Sequence, residues 1–169
     1  MEGSTRVATK EKLYPVRISA GALGRNLPQR DLLVSRQHRI VVSSQIAERM
    51  FGCREVLVAA IKLTELPGIY EDKSFEQAEY FHMLFDRHEI VFAENTPVES
   101  LYTGPEALQA VPDLARAEIL TLFPELENLD YTPEPALPIP ANLRQKNLIM
   151  RHAKNNKSVL HEYARNRRM

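Results

Sequence analysis

Residues 80–100, YFHMLFDRHEIVFAENTPVES, constrain the fold more than any other stretch. Tyr80 to Phe85 has the aromatic bias of a strand, Asp86-Arg87 is a short polar break, and His88 to Ala93 resumes an apolar run. Glu94-Asn95-Thr96-Pro97 then turns the chain. The pattern predicts two strands facing each other. Side chains alternate along a strand, so Tyr80, His82 and Leu84 share one face and Phe81, Met83 and Phe85 the other. At 169 residues the chain fits one domain with a sizeable core, and strand signals outnumber helical ones before Ser100, so the fold class is mainly β.

Lys+Arg 22 against Asp+Glu 22 leaves no net field that would draw the chain onto nucleic acid or anionic lipid. The charges are unevenly placed: from Arg144 onward eight Lys/Arg face Glu162 alone, which leaves −7 on the preceding part. This basic tail has no interleaved aromatics beyond Tyr163, so no nucleic-acid partner is expected. Cys53 is the only cysteine, which excludes an internal disulfide. No apolar run reaches the roughly 18 residues of a membrane span, and the N-terminus lacks the apolar core of a secretory signal. A soluble protein, cytoplasmic by default, is the expectation, with localisation open.

Residues 1–13 are polar and aperiodic, an irregular lead-in. Tyr14 to Ile18 alternates like a strand, and Gly21, Gly24, Asn26 and Pro28 mark a loop. Leu32 to Val34 and Arg39 to Val42 read as strands separated by Ser35-Arg36-Gln37-His38, followed by a short helix within Ser43 to Phe51. Glu55 to Leu63 is an apolar strand ended by Pro67-Gly68. A helix is expected from Thr103, and a second one carries Leu114, Ala117, Ile119, Leu120 and Phe123 as a packing face up to Pro124. Pro133, Pro135, Pro138 and Pro140 predict an extended linker. Leu143, Ile149, Met150, Val159, Leu160 and Tyr163 are compatible with a helix that Asn155-Asn156 interrupts.

The 80–100 stretch resembles a block of the Hint (Hedgehog/intein) superfamily, in which a Tyr and a His eight residues apart, here Tyr80 and His88, flank a central strand pair. PVRISAGALG (15–24), RDLLVSRQHRIVV (30–42) and EVLVAAIKL (55–63) follow the order of a bacterial Hint subfamily. The resemblance covers roughly Tyr14 to Leu126 and divides the chain into lead-in 1–13, Hint-like domain 14–126, and linker with basic tail 127–169. It implies autoprocessing, in which an opening Cys, Ser or Thr attacks the carbonyl before it and cleaves the domain from a flanking polypeptide.

Ser35-Arg36-Gln37-His38 is similar to the family's T-x-x-H block, which assigns His38 the amide to be broken. A peptide nitrogen is a poor leaving group until it is protonated, and an imidazole suits that task. The alternative is that Ser35 and His38 only close a turn. His88 and His82 would orient groups or exchange protons, or serve as ordinary half-buried strand residues. Glu99-Ser100-Leu101 stands where splicing inteins carry His-Asn and a nucleophile, so splicing is not expected. Nothing before Tyr14 looks like the family's nucleophile strand. The expected fold is therefore a Hint-like domain incomplete at its N-terminus and inactive as it stands, or a non-catalytic interaction module. Cys53, after the T-x-x-H-like block, reads as a small apolar filler or a surface thiol. Zinc at His38, His82, His88 and Cys53 has no supporting spacing, so no metal or cofactor is expected. Unpaired strand edges would favour self-association.

Overall fold

A computed structural model describes residues 2–7, 14–75, 78–104, 108–109, 113–128 and 130–161. Its strands are β1 (Glu2–Val7), β2 (Val16–Ile18), β3 (Leu32–Val34), β4 (Arg39–Ser43), β5 (Glu55–Ala59), β6 (Ile69–Glu71), β7 (Ala78–Met83), β8 (Ile90–Ala93) and β9 (Thr96–Glu99). The helices are α1 (Gln45–Phe51), α2 (Asp113–Leu122) and α3 (Asn142–Lys154). Among the described residues the strands form three antiparallel sheets, ordered β1-β7, β3-β2-β6 and β5-β4-β9-β8. The mainly β class stands.

β4 and β5 are apolar without alternation because both faces are covered: Ile40, Val41 and Val42, like Val56, Leu57 and Val58, are fully buried. The outer edge of β5 is covered as well. Leu57 N–H donates to the Pro138 carbonyl at 2.9 Å and Ala59 N–H to Gln145 Oε1 at 3.0 Å. An edge so satisfied cannot template another strand. α1 begins at Ser44, whose hydroxyl accepts the Ala47 N–H at 3.1 Å, and ends at Gly52, whose φ of 76° suits glycine. Cys53 follows, half-buried against the core, where it acts as the expected filler.

Several expectations are corrected. The two runs of the 80–100 stretch do not face each other: β7 pairs with β1, from Glu2 opposite Met83 to Val7 opposite Ala78, and β8 pairs with β9. The reason is the short reversal at Glu94-Asn95, both with positive φ, which turns β8 back at once so that Thr96 lies opposite Ala93. Thr96 and Pro97 are thus strand, not turn. Part of the polar lead-in forms β1. The run from Glu55 leaves the strand after Ala59 and winds into a 3-10 helix, Ala60–Glu65. Most of the helix expected from Thr103 lies outside the described residues. α2 stops before Pro124 as expected, but Leu114 is 88% exposed and takes no part in a packed face.

The basic tail enters the core. On α3 the buried residues Gln145, Leu148, Ile149 and His152 recur at three- and four-residue spacing, and Val159 and Leu160 follow them inside. Leu148, Ile149, Val159 and Leu160 join Val16, Ile18, Ile40, Val42, Val56, Val58 and Val98 in one apolar cluster. The charged residues of this segment occupy its outer surface, with Arg151 and Lys154 in the last turn, where cations suit the helix dipole.

Candidate functional site

The turn between β3 and β4 carries the first candidate. His38 N–H donates to the Ser35 carbonyl at 3.2 Å, which closes Ser35-Arg36-Gln37-His38. Ala60 N–H donates to the His38 carbonyl at 2.8 Å and Ile61 N–H to the Arg36 carbonyl at 3.0 Å, so the 3-10 helix holds the turn from behind. The His38 side chain remains half-exposed. Ser35 contributes its carbonyl.

β9 brings in a residue that sequence reasoning passed over. It is buried along its whole length, so Glu99 places a carboxylate in the interior, where an unpaired charge would be costly. Its Oε1 accepts the Arg39 backbone N–H at 2.8 Å, and its Oε2 accepts from Arg39 Nη1 at 2.9 Å. His88 Nε2 lies 3.3 Å from the same Oε2, within ion-pair range though poorly aligned for a hydrogen bond. Burial pushes the Glu99 carboxyl up, but His88, Arg39 and His38 outweigh it and hold the group below the usual carboxylate range. His38 directly precedes Arg39, the residue whose backbone N–H Glu99 holds.

His88 follows the Asp86-Arg87 break and precedes β8, with its side chain only 1% exposed. Ala136 N–H donates to its Nδ1 at 3.0 Å. That nitrogen must be an acceptor, so the ring proton of the neutral imidazole sits on Nε2, toward Glu99. Both nitrogens of His88 thus face protein groups. Tyr102 packs over the pair: its ring lies 5.0 Å from that of His88 and 5.6 Å from the Arg39 guanidinium carbon. Its hydroxyl donates to the Pro133 carbonyl at 2.9 Å. Just before it, Leu101 N–H donates to the Met83 carbonyl at 2.8 Å, which ties the site to the end of β7.

The structure places His88 against Glu99 and His38 one residue before Arg39, whose backbone N–H the same carboxylate holds. His82 lies in β7 opposite Gly3, and its side chain is outside the described residues. Glu99 has a readable signal, a charge inside an otherwise buried strand, but the first half of that strand, Thr96-Pro97, reads as a turn in the sequence. Ala136 acts through its backbone and leaves no signal in the sequence. Among the described residues no group of three or more His, Cys, Asp or Glu side chains is arranged to hold a metal ion, and no helix is long and apolar enough to cross a membrane.

Neither a curated protein nor a solved structure matches the chain. A family model described as the Hint domain matches residues 2–105, a range that takes in β1 to β9, His38, His88, Glu99 and Tyr102. With more than half of its length matched, the chain belongs to the Hint domain family.

Proposed function

We propose that this is an autoprocessing domain, built to break the peptide bond joining it to a flanking polypeptide, with His38 as the group that protonates the leaving nitrogen. One observation supports the reading: Glu99 holds the backbone N–H of Arg39, the residue after the half-exposed His38, and faces the buried His88. The turn that carries His38 is held from behind by two backbone hydrogen bonds, which fixes the place of the half-exposed imidazole, as general acid catalysis requires. His88 serves as a positioning residue, since neither of its nitrogens points to solvent.

The attacking group is a separate matter. The single cysteine, Cys53, is a half-buried neighbour of α1, and Glu2–Val7 pairs with β7 without a Cys at its start. Ser4 and Thr5 lie inside β1, paired with Phe81 and Tyr80, rather than at an opening position; with no nucleophile held at a carbonyl, a proximity worth roughly 7 to 11 kcal/mol, the expected outcome for residues 1–169 by themselves is no cleavage. Joining a reporter and a Cys-first strand ahead of β1 should give thiol-induced release of the reporter, and His38→Ala should abolish most of it. Release of a reporter fused directly to the unaltered chain, or equal cleavage by the His38→Ala form, would sink the reading. In the latter case the turn serves the fold alone and the domain is an interaction module.

A further inference from the structure

The backbone of His38 is held on both sides of its Cα. Its N–H donates to the Ser35 carbonyl at 3.2 Å and its carbonyl accepts the Ala60 N–H at 2.8 Å. The peptide unit that follows is gripped from its other side, where the Arg39 N–H donates to Glu99 Oε1 at 2.8 Å. A peptide unit is flat, so bonds to both its C=O and its N–H leave it little freedom to rotate, and the direction of the His38 side chain is set with it. Two of these three bonds run from backbone to backbone. The third ends on the carboxylate of a residue 60 positions away, where the β4–β9 ladder runs out at Ile40 opposite Val98.

Glu99 is itself unable to swing away. Its Oε2 accepts from Arg39 Nη1 at 2.9 Å and lies 3.3 Å from His88 Nε2, and its side chain is only 7% exposed. We propose that Glu99 is a positioning residue for His38, acting through the reach of its side chain to the next peptide unit and not through its charge. The step it serves is proton transfer to the leaving nitrogen, where a misplacement of about 1 Å can cost about 100-fold in rate. This role rests on the autoprocessing reading of His38; the grip on the Arg39 N–H does not.

Two substitutions separate reach from charge. Glu99→Asp keeps the charge beside Arg39 and His88 but is one methylene too short for the Arg39 N–H, whereas Glu99→Gln keeps an oxygen at the length of Oε1 and gives up the charge. In the Cys-first fusion, thiol-induced release of the reporter should fall about ten-fold or more in Glu99→Asp, the worth of a hydrogen bond to a charged group, and stay within about three-fold of the wild type in Glu99→Gln. On a His38→Ala background Glu99→Asp should cost nothing further, because a residue that acts only through another adds nothing once that one is gone. Amide exchange in the chain without the fusion reads the grip with no reaction needed: Glu99→Asp should speed exchange at Arg39 about ten-fold and leave the Ala60 amide as protected as before, which also shows that the variant is folded. Should Glu99→Asp not fold, Glu99→Gln decides alone, and a loss of release of about ten-fold there refutes the proposal. The opposite order of the two variants, an additive loss on the His38→Ala background, or exchange at Arg39 indifferent to Glu99→Asp would overturn it as well. A wild-type fusion that releases nothing would instead sink the autoprocessing reading and any role of Glu99 in the reaction, while exchange at Arg39 still decides whether Glu99 holds the backbone beside His38.

Discussion

Among the described residues two histidines are buried, and they are wired in opposite senses. His88 accepts a backbone N–H at Nδ1 and directs Nε2 to the Glu99 carboxylate. His152, at the end of α3, must donate from Nδ1 because its partner at 3.0 Å is the Lys157 carbonyl, and so its Nε2 accepts the Ser44 hydroxyl, also at 3.0 Å. Ser44 is free to give that proton since its oxygen already accepts Ala47 N–H as the cap of α1. One ring has an anion and a nearby second histidine; the other has only neutral partners and no exposure. Burial by itself does not distinguish a working histidine from a structural one. The charge state of the partner does.

The strongest way to break this contrast is to remove the anion. Glu99→Ala leaves Arg39 with a lost partner and His88 Nε2 facing nothing, and should cost about 3 to 4 kcal/mol in urea unfolding. A loss below about 1 kcal/mol would show that the carboxylate does not hold the site together. His152→Ala should cost about 2 to 3 kcal/mol, from the cavity and from the orphaned Ser44 hydroxyl and Lys157 carbonyl, without altering thiol-induced release in the Cys-first fusion.

Acid should separate the two centres. Burial pulls the His152 pKa below its ordinary value, with the Lys157 and Ser158 carbonyls pulling the other way. The unfolded chain then binds the extra proton, so His152 costs the fold nothing well above about pH 6.5 and lowers stability as pH falls below it, by at most about 1.4 kcal/mol per unit. Glu99, with its pKa lowered, contributes stability above the ordinary carboxylate value that disappears only as pH falls through its own lower one. Urea midpoints between pH 7.5 and pH 5.5 should thus decline in the wild type and stay flatter in His152→Gln; parallel curves would refute the assignment. The smallest effect expected is that of Tyr102→Phe, about 1 kcal/mol for the hydroxyl that holds the Pro133 carbonyl.

How much of this was readable in advance varied with the kind of interaction. Apolar patterning located β4, β5, the short helix α1 and the turn at Ser35-His38, because burial and local turn chemistry write themselves into neighbouring residues. Pairing did not show. The register of β7 with Glu2–Val7 joins residues far apart in sequence, and the polar composition of β1 carries no strand signal of its own. The tail was misleading for a related reason: its eight Lys/Arg dominate its composition, while the four buried positions of α3 include Gln145 and His152, which a search for apolar stripes does not count. Glu99 failed to register because a carboxylate acquires meaning only from what surrounds it in space.

The covering of β5 by residues from the far end of the chain bears on how the protein is made. Synthesis delivers the strands and the candidate histidines first, with the N–H groups of Leu57 and Ala59 still bare and the places of Ile149 and Leu160 still wet. A nascent chain at that stage is an assembled but unsealed sheet, the sort of intermediate on which chaperones act. Arrival of residues 138–160 seals it. The segment that covers the site at Pro133 and Ala136 runs directly into the one that completes the core.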